Sequence, residues 1–441
     1  MDSNSRPPRS NSFNRTDNNS SRSSYSSRSS SGDGNQRSNG GYNRNSGNQG
    51  GSSRYNGNRN NGGGGRGGRF ARPIRRLDPS KFISEAKAKI VEEIYVPKHA
   101  FIDFEIEPQL KKNIVSKGYI TPTPIQDQTI PYILEGHDVI GLANTGTGKT
   151  AAFLIPLINK ILKDSRNNVL IIVPTRELAV QINTELRDFS AGTTINSALC
   201  IGGADIRRQT MNLKRNPQFV IGTPGRLKDL CNRRALNLAY FGNIVLDEVD
   251  RMLDMGFIDD IKFLVAHMAD QKQSLFFSAT MPRQLEGIVN TFLKDPITVS
   301  VGTRDTSTNV HQDVIRVSGR QEKDMKLYEI LAKEEFKKVL IFTRTKRAAE
   351  TLCENLLDRK FKAQSIHGDK SQSKREKALM AFRNNIVDIL VATDVAARGL
   401  DISNISHVIN YDAPENYDDY VHRIGRTGRG DKKGFAITFV D

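Results

Sequence analysis

The first 76 residues of this 441-residue chain contain no lysine and no glutamate. They hold fourteen arginines against three aspartates, a net charge of +11 out of +16 for the whole chain. The remaining residues therefore carry only +5, which excludes a wholly basic, histone-like protein. Cysteine is scarce: Cys200, Cys231 and Cys353 lie far apart, with no C-x-x-C and no paired histidines. That spacing argues against a disulfide framework and against a cysteine–histidine zinc site, and reads as free thiols in a reducing compartment. No apolar run approaches the roughly 18 residues that mark a membrane-spanning helix. The N-terminus also lacks the apolar centre of a secretory signal and the apolar helical face of a transit peptide. Cytoplasm is the default location.

Residues 1–70 are mostly Ser, Asn, Gly and Arg, with Phe13, Tyr25, Tyr42, Tyr55 and Phe70 scattered among them. Such a segment has too little apolar surface to offset chain entropy, which predicts a disordered tail. The tail ends in an RGG-like cluster, GGGGRGGRF at 62–70. Arginine on a flexible glycine backbone can reach phosphates, and the aromatics offer stacking surfaces for bases. Nucleic-acid contact is the reading favoured here, with a solubilising spacer as the plainer one.

Residues 71–98 read as a bridge with a helix over 83–94. Beyond it, apolar runs of four to six residues alternate with helix-like stretches, at 138–143, 169–173, 198–202, 219–222, 244–246 and 275–277. The pattern restarts at 339–342, 362–366, 389–392, 407–410 and 435–440. Runs apolar on both faces suit parallel strands covered by helices on each side. The polar stretch GTRDTSTNV at 302–310 separates the two series and reads as a linker over 303–310. The fold class is therefore α/β, with doubly wound parallel-sheet domains at 99–302 and 311–441.

The strand at 138–143 runs into ANTGTGKT and then an apolar helix start, the context a phosphate-binding loop requires. Gly146 and Gly148 let backbone N–H groups face phosphate oxygens at a helix N-terminus. Ala143, Asn144, Thr145 and Thr147 complete the loop. Lys149 supplies charge for the β and γ phosphates, and Thr150 a hydroxyl for Mg²⁺. Ala143 departs from the general G-x-x-x-x-G-K-[ST] pattern. A later strand ends in Asp247 and Glu248. Asp247 can hold Mg²⁺ through water, and Glu248 can orient and polarise the attacking water.

Together these residues resemble a DEAD-box ATP-dependent RNA helicase of superfamily 2, with DEVD (Asp247, Glu248, Val249, Asp250) in place of DEAD. The resemblance runs from about Phe101 to the last residue, with the motifs in the family's order. It accounts for Ala143; Asn144 stands where Gln is more usual. It implies two tandem RecA-like domains, an RNA-dependent ATPase with ATP and Mg²⁺ as cofactors, single-stranded and duplex RNA as partners, and protein activators. It also implies a monomer with no membrane attachment.

Residues 118–126, GYITPTPIQ, resemble the family's Q motif. Gln126 would then read the adenine edge, since an amide offers both a donor and an acceptor. Phe101, 25 residues upstream, would stack on the adenine face, and Phe104 reads as core. PTREL, the Gly202-Gly203 pair and TPGR imply RNA contacts by Arg176, Gly203, Thr223 and Arg226, residue types that suit a sugar–phosphate chain. SAT implies coupling through Ser278 and Thr280, whose hydroxyls can bond to the 247–250 segment.

In the second domain Phe342, Arg344, Gln372, Arg375 and Thr393 resemble the RNA-facing strip. Gly399 and Asp401 would lie near the γ phosphate and ribose. HRIGRTGR implies arginine fingers at Arg426 and Arg429, whose planar guanidinium groups stabilise charge on transferring phosphoryl oxygens. His422 and Arg423 read as structural links. Neither half is a complete ATPase, so ATP and RNA are expected to close the cleft jointly. Rival readings are an RNA clamp or remodelling chaperone, a DNA-directed helicase of the same superfamily, and a scaffold acting through the tail.

Overall fold

The computed structural model describes residues 82–83, 95–144, 146–301, 309–397, 402, 404–428 and 433–440. The tail at 1–70 lies outside them, as do all but Ile83 of the helix expected over 83–94 and the site residues Thr145, Gly399, Asp401 and Arg429. Two helices open the first domain, α1 (Pro108–Ser116) and α2 (Pro124–Glu135). Each begins with a proline in its first turn, where no N–H is needed. At the start of α2 the Gln126 amide oxygen accepts from the Thr123 N–H at 3.0 Å. Gly136, at φ +91°, closes the helix in the left-handed conformation that favours glycine.

A strand–helix alternation follows. β1 (Val139–Leu142), α3 (Lys149–Lys163), β2 (Asn168–Ile172), α4 (Arg176–Phe189), β3 (Ser197–Cys200), α5 (Ile206–Leu213), β4 (Phe219–Gly222) and α6 (Pro224–Asn232) build one half. β5 (Phe241–Asp247), α7 (Val249–Asp254), α8 (Ile258–Ala266), β6 (Gln273–Ser278), α9 (Arg283–Phe292) and β7 (Ile297–Ser300) complete the domain. The second domain runs β8 (Val310–Arg316), α10 (Arg320–Leu331), β9 (Val339–Thr343), α11 (Lys346–Asp358), β10 (Ala363–Ile366), α12 (Gln372–Arg383) and β11 (Ile389–Thr393). It ends with α13 (Asp394–Ala397), β12 (His407–Asn410), α14 (Tyr417–Ile424) and β13 (Gly434–Val440).

Among the described residues the first sheet has seven strands in the order β3-β4-β2-β5-β6-β1-β7, and the second six in the order β10-β11-β9-β12-β13-β8. Every neighbouring pair is parallel. Side chains of a strand alternate between faces. Thus Val169 and Ile171 of β2 join one core, while Leu170 and Ile172 join the other. Burial on both faces explains why the interior strands read as continuous apolar runs.

Two of the four edge strands, β7 and β8, escaped that reading. β7 and β8 each lie at a sheet edge and alternate buried with exposed positions. Val310, the last residue of the expected linker, opens β8 and is fully buried, while 303–308 lie outside the described residues. The three cysteines are free. Burial raises the Cys200 thiol to about 12 and the Cys231 thiol to about 11, so both stay protonated.

One buried histidine makes the second domain acid-sensitive. His407 on β12 stacks between Phe336 (ring centroids 3.8 Å apart) and Phe435 (5.1 Å). Burial, only partly countered by Glu335, lowers its pKa from 6.5 to about 4. Between those values the unfolded chain binds a proton that the folded chain refuses. Stability is therefore full above pH 6.5 and falls as pH drops, by at most about 3 kcal/mol. Denaturant unfolding at pH 7 and pH 5 is expected to show a smaller acid loss for His407→Leu than for the wild type; equal losses would remove His407 from the account.

Candidate functional site

The carboxyl ends of β1, β6 and β5 lie side by side and hold the chemistry. Leu142 pairs with Ser278, and Phe277 with Asp247, so the three strands end level with one another. The Ala143 N–H donates to the Ser278 carbonyl at 3.0 Å. From Ala143 the chain turns through Asn144, whose carbonyl accepts from the Thr147 hydroxyl at 2.8 Å. Gly146 and Gly148 take φ of +87° and +92°, which a side chain would strain. Lys149 and Thr150 open α3, where backbone N–H groups and the helix dipole favour an anion. Lys149 is buried, and its ammonium donates to the Ala143 carbonyl at 2.6 Å, across the loop that would receive phosphates.

Gln126 was expected to meet adenine, and its amide also has protein partners. Besides capping α2, its Nε2 donates to the Gly148 carbonyl at 3.0 Å. One end of the amide thus caps α2 while the other braces the phosphate loop. A Cβ added to Gly148 would lie 2.4 Å from that Nε2. Phe101 was expected to face adenine, with Phe104 in the core. Both rings are buried in the same core, and Phe101 packs edge-on against Phe104 at 6.1 Å and Tyr119 at 5.9 Å.

Asp247, Glu248 and Asp250 are all buried. Burial, with Glu248 and Asp250 alongside, raises Asp247 to about 7 against the pull of Lys149. Burial also works against the Glu248 charge, but Arg251, Arg426 and Lys149 outweigh it and hold the carboxyl below its ordinary range. Arg251 donates to Glu248 through Nη1. Glu248 sits at φ +56°, a left-handed conformation that a non-glycine residue holds only under local strain. Asp250 faces the other way: its Oδ2 accepts from the Ala279 N–H (3.1 Å), the Thr280 N–H (3.0 Å) and the Thr280 hydroxyl (3.1 Å). The Asp250 N–H in turn donates to the Ser278 hydroxyl at 3.3 Å. Ser278 and Thr280 are therefore physically tied to the acidic segment.

These residues suit a magnesium nucleotide. The Asp247 carboxylate and the Thr150 hydroxyl are hard oxygen donors of the kind Mg²⁺ takes. A divalent charge there would restore the ionised form of Asp247 that burial disfavours. Among the described residues no group of three or more His, Cys, Asp or Glu could hold a metal by itself. Mg²⁺ would thus depend on phosphates and water for its remaining ligands, as it commonly does.

The second domain meets this site through Arg426. Arg426 is buried, donates from Nε to the His422 carbonyl at 3.3 Å, and its charge acts on Glu248. Arg423 is a structural link. It grips Asp394 at 2.6 and 2.7 Å, the Asp412 carbonyl at 2.6 Å and Asn410 at 3.2 Å.

Arg375 and Gln372, expected on the RNA-facing strip, are both buried. Arg375 Nη2 reaches across the cleft to Glu177 Oε2 at 2.7 Å, 198 residues away. Burial pushes the Glu177 carboxyl up, and Arg375 holds it back only in part. Such a pair contributes little net stability, but removing one partner strands the other, at about 3–5 kcal/mol. Arg375→Glu is expected to slow nucleic-acid-stimulated ATP hydrolysis by about a hundredfold, by disfavouring the closed cleft. Combining it with Glu177→Arg is expected to recover part of the loss. A double variant no better than the single one would assign Arg375 another role.

The other residues of the expected strip have partners of their own. The Arg176 guanidinium lies over Gly202 and Gly203, and a Cβ on Gly203 would come within 2.3 Å of its Nη1. Thr223 precedes α6, and Arg226 Nη1 donates to the Ala204 carbonyl (3.2 Å) and to Gln209 (3.0 Å). Arg344 is exposed beside Asp412, which accepts from its N–H at 2.8 Å. Thr393 ends β11 and is buried. Sequence reasoning missed Glu177 and Arg251. Arg251, three residues after Glu248 on the same short helix, was the more findable.

Comparison with known proteins bears on the same residues. The DEAD/DEAH box helicase family pattern matches residues 123–288, and that of the helicase conserved C-terminal domain matches 322–431. The ATP-dependent RNA helicase CshA of Limosilactobacillus reuteri is 46% identical over 342 residues, 77% of this chain and 69% of that protein. CshA of Listeria monocytogenes is 46% identical over 344 residues, 77% of this chain and 66% of that protein. The chain thus spans about two thirds of the length of these relatives. Among solved structures, S. cerevisiae Dbp5 bound to RNA and ADP BeF3 is 29% identical with a TM-score of 0.68, covering 77% of this chain and 89% of that one.

Proposed function

The chain belongs to the DEAD-box family of ATP-dependent RNA helicases, and from that membership we propose how its own residues do the work. ATP enters the loop at the head of α3, where Lys149 exchanges the Ala143 carbonyl for phosphate oxygens. Thr150 and Asp247 would hold the Mg²⁺ of the nucleotide, which would offset charge on the phosphates. Glu248, held ionised, accepts the proton of the attacking water. Arg426, with Arg429, stabilises the charge that builds on the transferred phosphoryl group. Arg176, Gly203, Thr223 and Arg226 grip one strand from the first domain, and Arg344 and Thr393 from the second. Phosphate and sugar contacts of this kind hold RNA without reading its sequence. A strand bent to follow both domains cannot stay in a regular duplex, so a few base pairs separate locally.

The observation that carries this reading is the meeting of halves. The phosphate loop and Glu248 belong to the first sheet, Arg426 to the second, and the Glu177–Arg375 pair joins the domains beside them. Among the described residues no helix is long and apolar enough to cross a membrane; we place the protein in the cytoplasm, working as a monomer. The test is strand release from a short RNA duplex. ATP is expected to release the strand within minutes. RNA-dependent hydrolysis without release would favour a clamp or chaperone instead.

A further inference from the structure

Phe82 lies ahead of the first domain in the chain yet packs into the second. It is 1% exposed and joins Val310, Tyr420, Ile424 and Ala436 in a small core of its own. Its ring centroid is 4.6 Å from that of Tyr420, whose hydroxyl bonds to Gln312 at 2.8 Å and reaches the Phe82 carbonyl at 3.5 Å. Thirteen positions on, the chain is held again, now by the first domain. The buried Asp127 carboxylate accepts from the Lys98 N–H (2.8 Å), the His99 N–H (3.1 Å), His99 Nδ1 (2.7 Å) and the Tyr95 hydroxyl.

The two anchor points are not arbitrary. Asp127 follows Gln126, which braces the phosphate loop through Gly148. Tyr420 sits on α14, and Arg426 follows two residues after that helix ends. We propose that Phe82 and residues 95–99 are the two ends of an intramolecular clasp, and that the Val310–Tyr420–Ile424–Ala436 pocket is its docking site. The clasp joins the helix that aims Arg426 to the helix that braces the phosphate loop. The domains then have a second tether, docked non-covalently at Phe82, besides the covalent one through 302–308. A second tether raises the effective concentration of each half of the site at the other and so favours closure.

The inference rests in part on the helicase reading, so the experiment uses two readouts. In the full-length protein, Phe82→Ala is compared with Ile83→Ala, a control at a 61% exposed neighbour. Hydrogen exchange across 417–424 is expected to quicken tenfold or more in Phe82→Ala and to stay at the wild-type rate in the control. The RNA concentration giving half-maximal ATPase is expected to rise severalfold, with kcat at saturating RNA within twofold. Unchanged exchange would overturn the docking. Faster exchange with an unchanged or lowered RNA requirement would overturn the clasp, leaving Phe82 as a cover for the second domain or a brake. Protection of 417–424 that grows with protein concentration would assign Phe82 to a second copy and also overturn it. Wild-type hydrolysis indifferent to RNA would sink the helicase reading while leaving the exchange comparison valid.

Discussion

Arg426→Ala is expected to lower kcat for RNA-stimulated ATP hydrolysis by about 10³–10⁵, the range an arginine finger supplies, while ATP and RNA still bind. The size of the effect follows from position. Arg426 comes just after α14, its N–H donates to the Arg423 carbonyl at 3.1 Å, and Arg423 is itself held by four contacts. The guanidinium is therefore aimed by the second domain's own framework before nucleotide arrives. Buried and always charged, it already depresses the Glu248 pKa across the cleft. A charge in that environment is screened little by water, so its loss is felt strongly as phosphoryl charge develops. Arg426→Lys is expected to rescue poorly, because an ammonium lacks the planar fork. Single-turnover hydrolysis alongside fluorescent-nucleotide binding separates the outcomes. A loss of less than tenfold would mean that Arg426 does not touch the reacting phosphate.

Glu248→Gln is expected to slow hydrolysis by about 10²–10⁴ with nucleotide and RNA affinity kept or increased. Glutamine keeps the shape and an oxygen for Arg251 Nη1, but it cannot take the proton from water. Lys149, Arg251 and Arg426 hold Glu248 ionised, so the native residue stands ready as a base at neutral pH. Its left-handed backbone fits a residue placed for chemistry rather than for folding. Because binding survives, the variant is expected to accumulate closed complexes that release RNA slowly. A variant that turns over at near wild-type rate would transfer the role of base elsewhere.

How much of this was legible in the sequence depended on distance along the chain. The phosphate loop was readable because Ala143 to Thr150 is one continuous stretch between a strand and a helix. The interior strands were readable because burial on both faces leaves an uninterrupted apolar run. β7 and β8 were not, since only Val299 of β7 is buried and β8 interleaves His311, Asp313 and Arg316 with its apolar residues. Within the site, residue types were readable and partners were not. Arg375 carries the charge expected of a phosphate contact, and nothing near it in sequence points to Glu177. Gln126 has the donor and acceptor expected of an adenine reader, and only the fold shows that Thr123 and Gly148 also bond to them. Phe82 stands just ahead of the helix expected over 83–94, and nothing near it in sequence points to the second domain, so its core was invisible until Tyr420 was found beside it.

The most direct test of the central claim is ATP hydrolysis by the full-length protein with no nucleic acid, with single-stranded RNA, and with single-stranded DNA of the same sequence. Closure linked to RNA predicts stimulation of about tenfold or more by RNA, which a coupling of 1–3 kcal/mol supplies, and little by DNA. Equal stimulation by DNA would contradict the assignment of RNA as the partner, and a rate indifferent to both would contradict the linkage of closure to hydrolysis.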